Sequence, residues 1–168
     1  SANTLAPING TFNSTIEGNG HVIRNLNFSA TGIGMGANVS MLGRLSKEAK
    51  INNITFENVN ATLETTNNVI VRGVYLVCGG IEEGAQLNGV VFNNVNLTFR
   101  DASKQSAIEN LCRYTTEVVD GQQKINVIEY VTDNWMFGGL ETDAAFMQKY
   151  GVTVNGYSLK VKVNRTDT

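Results

Sequence analysis

One histidine, two cysteines and a few neighbouring carboxylates bound what this chain can do chemically. His21 follows Gly18-Asn19-Gly20 and opens an apolar alternation, the place of a turn residue entering a strand. No Gly-x-Ser-x-Gly elbow accompanies it, so no nucleophile is paired with this base. Cys78 and Cys112 are too few for a disulfide framework or a Cys-rich zinc site. They read as buried thiols, with a bond between neighbouring repeats as the open alternative. Glycoside hydrolysis needs two acids about 5 to 9.5 Å apart across the scissile bond. Glu82 and Glu83 lie in a turn between Ile81 and Ala85 and point to opposite sides if extended, which reads as a solvated loop. Glu141 and Asp143 take the equivalent place further along, so stacking would gather Glu83 and Asp143 into an acidic strip that binds Ca²⁺ weakly. That strip is the metal alternative to a chain with no metal and no cofactor. Gly18, Gly20, Gly32, Gly34 and Gly36 do not follow the dinucleotide-binding pattern before a helix, and read as turns.

The aromatic residues offer a different chemistry. Residues 114–157 hold seven of the thirteen aromatics, including the single Trp, where repetition along the chain is weakest. Trp135, with Tyr130 and Tyr114, is therefore the candidate glycan- or peptide-binding surface, because amphipathic rings are enriched at interfaces. The competing reading is a buried end-cap, since Trp is highly buried on average.

Composition limits the scaffold that must carry these groups. The chain has 168 residues, a net charge of −2, 17% charged and 42% apolar residues, and one Pro. This predicts one soluble domain spanning residues 1–168, large enough to build a core without metal or disulfides. Scattered positive charge argues against nucleic acid, and the apolar run of a membrane helix is absent. Seventeen Gly and 22 Asn point to a turn-rich all-β chain. Ser1 suggests a processed or excised product whose export history is invisible.

Self-similarity supplies the architecture. Residues 41–63 align with 77–99 at a constant offset of 36, pairing Gly43, Ala49, Asn52, Phe56, Asn58 and Asn60 with Gly79, Ala85, Asn88, Phe92, Asn94 and Asn96. Leu26-Asn27-Phe28 reads as an earlier copy of Ile54-Thr55-Phe56. Gly138, Leu140, Ala144 and Phe146 read as a later copy, 59 residues after Gly79, Ile81, Ala85 and Leu87, with a further coil between them. The apolar alternation changes phase from Phe56 to Val59, so a straight strand would face these residues oppositely. A one-residue corner at Asn58, and at Asn94 in the next copy, turns both sets inward, because Asn tolerates the left-handed conformation. The expectation is a right-handed parallel β-solenoid of about four to five coils, near residues 12–28, 41–63, 77–99, 108–131 and 136–146. Phe28, Phe56 and Phe92 would form one internal column, and Asn58 and Asn94 part of a side-chain ladder. Val152 to Val163, with Asn155-Gly156 at its turn, predicts a capping hairpin whose Lys160 and Lys162 discourage further strand pairing. Asp143 to Tyr150 predicts a short helix, and residues 102–112 suit helix or strand equally. The Asn-x-Ser/Thr triplets, including those at Asn27, Asn60, Asn96 and Asn164, follow from composition and corner chemistry.

Phe12 and the run Ile16-Glu17-Gly18-Asn19-Gly20-His21-Val22-Ile23-Arg24-Asn25-Leu26 resemble the opening coil of bacterial surface proteins that carry GLUG repeats. Met41-Leu42-Gly43-Arg44-Leu45, Val77-Cys78-Gly79-Gly80-Ile81 and Met136-Phe137-Gly138-Gly139-Leu140 resemble degenerate copies of their Gly-apolar-Gly element. The resemblance implies a secreted or surface-attached bacterial protein and transfers no catalytic residue. Some GLUG-repeat proteins are immunoglobulin A peptidases with a His-Glu-x-x-His zinc helix, which a chain with one histidine cannot form. The expected function is a non-catalytic binding or spacer module, directed at a glycan or protein in adhesion. The alternatives are a polysaccharide lyase or glycoside hydrolase of parallel β-helix type, or an ancillary domain of a surface protease.

Overall fold

The structure, a computed structural model, describes residues 3–5, 10–65, 68–101 and 106–163. Asn164 and residues 102–105 of the ambiguous segment lie outside the described residues. Strands β1 (Asn3–Leu5), β2 (Thr11–Phe12), β3 (Thr15–Ile33), β4 (Asn38–Val39), β5 (Arg44–Leu45), β6 (Lys50–Thr65) and β7 (Ile70–Val71) come first. They are followed by β8 (Gly73–Val74), β9 (Gly80–Ile81), β10 (Gln86–Asp101), β11 (Ala107–Ile108), β12 (Cys112–Val119) and β13 (Gln122–Tyr130), then helix α1 (Asp143–Tyr150) and β14 (Thr153–Val163). The architecture is mostly β. A five-stranded parallel sheet has the order β1-β3-β6-β10-β14, and the short strands form parallel ladders β2-β5-β9, β4-β8 and β7-β11.

The 36-residue offset is the register of β10 on β6 at the centre of the main sheet, from Gln86↔Lys50 to Arg100↔Glu64. Corners at Asn25, Asn58 and Asn94 have φ of 60°, 57° and 57°, and Gly156 completes the column at φ 77°. The side chains of this column are linked, Asn58 Nδ2 donating to Asn25 Oδ1 at 3.1 Å and Asn94 Nδ2 to Asn58 Oδ1 at 2.7 Å. Two residues on, Asn60 and Asn96 extend a second ladder from Asn27, with bonds of 3.3 and 3.0 Å. Ladder bonding therefore occupies the carboxamides of these three triplets. Inside, Phe56 and Phe92 stack at 5.0 Å, Phe137 meets Phe92 edge-on at 6.0 Å, and Phe137 stacks on Phe146 of α1 at 4.3 Å. One apolar cluster runs from Leu26 to Val152 through these rings.

Four expectations are corrected. Phe28 pairs with Ala61, and Ile23 pairs with Phe56, so the aromatic column starts at Phe56. The reason is Asn25, whose left-handed backbone aligns Leu26 with Val59 and not with Ile54. The segment 108–131 does not continue the parallel stack. Its β12 and β13 form an antiparallel hairpin closed by Asp120 and Gly121, both at positive φ, 52° and 78°. In 136–146 the offset of 59 holds at the start, with Leu76 N donating to Trp135 O at 2.9 Å, Val77 N to Met136 O at 2.8 Å, the bridge Cys78↔Phe137 and Gly138 lying against Gly79, and it is lost where Thr142 caps α1 by accepting from the Ala145 N–H at 3.0 Å. Finally, 152–163 is not a hairpin. β14 is one strand lying parallel on β10, and Asn155-Gly156 supplies its corner, since Gly156 meets the same demand for positive φ that a type I′ turn makes.

Candidate binding cleft

Trp135 lies in the main core, 2% exposed, with its ring 6.1 Å from that of Tyr157. Tyr157, 62% exposed, is the open aromatic of a shallow groove of about 260 Å³ that Trp135, Thr132, Asp133 and Met147 also line. Tyr114 and Tyr130 are elsewhere, on the hairpin, packed against a separate small cluster of Ala107, Cys112 and Ile125. Burial, followed by the charges of Asp101 and Cys112, pushes the Tyr130 phenol up to about 12. The three rings therefore share no surface, and Tyr157 is the partner that the sequence did not single out.

Asp143 is buried, and its carboxylate accepts from three consecutive backbone N–H groups, Trp135 at 2.9 Å, Met136 at 3.1 Å and Phe137 at 2.9 Å. Glu83 is exposed in the turn between β9 and β10. Among the described residues no three His, Cys, Asp or Glu side chains gather where they could hold a metal ion. His21 Nδ1 lies 2.8 Å from the Gly18 carbonyl, within the turn. Cys78 and Cys112 are free and buried, and burial raises the Cys78 thiol to about 12.

A larger cleft, about 500 Å³, opens over the ladders β2-β5-β9 and β4-β8. Three successive levels build it: Gly10 and Thr11, then Gly36, Asn38, Gly43 and Arg44, then Arg72, Tyr75 and Gly79. Backbone bonds fix the levels, with Arg44 N donating to Gly10 O at 2.8 Å, Arg72 N to Ala37 O at 3.0 Å, Tyr75 N to Val39 O at 3.0 Å and Gly79 N to Gly43 O at 2.9 Å. Two glycines shape the wall. A Cβ on Gly79 would collide with Asn38 Oδ1, and one on Gly73 would come within 2.5 Å of Tyr75 Cε2. Their absence seats the Asn38 carboxamide and the Tyr75 ring against the backbone.

The polar groups of this cleft are incompletely satisfied. Asn38 Nδ2 donates to the Gly79 carbonyl at 3.2 Å, whereas Asn38 Oδ1 is buried without a hydrogen-bond partner. Arg44 meets Glu82 at 3.5 Å, and Glu82 also accepts from Lys47 N at 3.2 Å. Arg72 is exposed and makes no ion pair among the described residues. Burial first, then the charges of Asp143, Cys78 and Glu109, raise the Tyr75 phenol. The cleft is thus lined by two arginines and a half-buried tyrosine, with an unpartnered acceptor buried in its wall. The register of β8 on β4 is 35, which places Arg72 opposite Ala37 and Tyr75 opposite Ser40, two positions where a long or aromatic side chain replaces a small one.

No family model matches the chain, and neither a curated protein nor a solved structure does.

Proposed function

We propose that the chain is a right-handed parallel β-solenoid of the GLUG-repeat type that serves as a non-catalytic binding module on a bacterial surface or in a secreted protein. The parallel sheet with its 36-residue register supports the solenoid, and crossovers between parallel strands are right-handed in about 98% of cases. The observation that carries the binding reading is Arg72, a guanidinium that makes no ion pair among the described residues, in a glycine-walled cleft beside Tyr75. An unpaired arginine there loses little on meeting a ligand, whereas a paired one must first break its bridge.

Binding fits better than turnover. Among the described residues that line the cleft, Tyr75 is the weak acid that could serve as a base, and its phenol is shifted upward, away from the range in which a base works at neutral pH. Asp143, the buried carboxylate, is engaged by the backbone. The test is a screen of the folded protein against glycans and surface proteins, with backbone NMR mapping each hit. Shifts confined to Gly36–Arg44 and Arg72–Gly79 are expected, without release of new sugar ends; release of such ends would overturn the non-catalytic reading.

A further inference from the structure

We infer that the cleft takes an oligosaccharide bearing carboxylate groups, with Arg72 as the principal anchor of the acid. This rests on the binding reading above and adds the class of ligand. Each polar group of the cleft calls for a particular partner. Arg44 and Arg72 donate through planar forks that match a carboxylate bidentately. Asn38 Oδ1 is closed off against Gly79 and Gly73 and has no partner, so a turn of the carboxamide toward the cleft would let it accept a hydrogen bond, which a sugar hydroxyl can donate and an anion alone cannot. Tyr75 presents an amphipathic ring, suited to the C–H face of a pyranose. An acid group, a hydroxyl and an apolar face occur together in a uronic acid or another carboxylated sugar.

The shape agrees with this chemistry. Lining residues come from three strand levels, and adjacent strands are about 4.8 Å apart, so the floor runs for about 10 Å, the reach of a disaccharide. Two further features disfavour a free phosphate. Among the described residues no helix N-terminus lines the cleft, and Arg44 shares its charge with Glu82, which leaves the charge of Arg72 to face the ligand. A singly charged carboxylate needs no more.

The experiment is a calorimetric titration of the full chain with three probes: a trimer of galacturonate, a neutral galactose trimer, and inorganic phosphate. The acidic trimer is expected to bind about tenfold or more tightly than the neutral one, and to weaken as salt is raised. Arg72→Gln should lower that affinity by about tenfold to a hundredfold, and Arg72→Lys, which keeps the charge and loses the fork, should fall between. Arg113→Gln, which breaks the ion pair with Glu129 on the hairpin, should leave affinity unchanged. Equal affinity for the neutral trimer would overturn the acidic-sugar inference and leave the binding reading standing. Preference for phosphate, or an Arg72→Gln variant with undiminished affinity, would overturn it too. Failure of both trimers, with no cleft shifts in the glycan screen, would overturn both readings.

Discussion

Asp143 shares its charge among three successive peptide N–H groups, yet its carboxyl is raised above the usual range, because the cost of burial outweighs what the three donors return. The folded chain then holds the Asp143 proton to higher pH than the unfolded chain does. Between the two values the native state binds more protons, so this residue's contribution falls as pH rises out of the ordinary carboxylate range. Urea midpoints measured across that range should decline for the native protein with a component that Asp143→Asn abolishes. Parallel declines in both proteins would move the titration to another group. Phe92 carries the opposite kind of load. Its ring has Phe56 on one face and Phe137 at its edge, with 2% exposure, so Phe92→Ala should cost about 3 to 5 kcal/mol in a denaturation curve. A loss below about 1 kcal/mol would mean that neighbouring rings collapse into the space.

The hairpin β12-β13 is an excursion that the sheet ignores. β14 takes its place on β10 at an offset of 62, and the hairpin's base is pinned where Val131 N donates to Leu111 O at 2.7 Å. Replacing 112–130 by a short Gly-Asn linker should preserve the β10–β14 register and lower stability by about 1.5 to 3 kcal/mol, the burial of Ile125. Loss of cooperative unfolding would show that the hairpin is integral to the stack. The central repeats were legible in the sequence because gapless identity and paired corner asparagines coincide there. The first repeat was misaligned because Leu26-Asn27-Phe28 matches Ile54-Thr55-Phe56 and Val59-Asn60-Ala61 equally well in polarity, and only the backbone of Asn25 decides. Asn155-Gly156 misled for a related reason, one dipeptide serving both a hairpin turn and a corner. Trp135 lies near Tyr114 and Tyr130 in sequence, yet they pack on separate clusters, Trp135 in the main core and the two tyrosines on the hairpin. The cleft stayed hidden because each level adds only two to four of its residues, and no single segment looks like a site.

At the scale of the molecule, β14 is an outer strand, with Lys160 beside Thr98 and Lys162 beside Arg100. Charges at such an edge oppose docking of another chain. The variant with Lys160→Thr and Lys162→Thr should associate at lower concentration than the native protein in sedimentation velocity, and equal behaviour would assign the protection to strand length or twist. The order of the main sheet also governs how the protein answers to tension. β1 and β14 sit at opposite margins of a stack whose strands run across the stacking direction. A pull applied through them loads the hydrogen bonds of one ladder at a time, as a zipper is opened, and never shears a whole sheet at once. Each strand that lets go releases up to 36 residues, about 120 Å of chain, and the departure of β14 from β10 releases 62, about 200 Å. Under load the molecule would pay out in uneven steps, the longest coming from the margin that carries the helix and the hairpin.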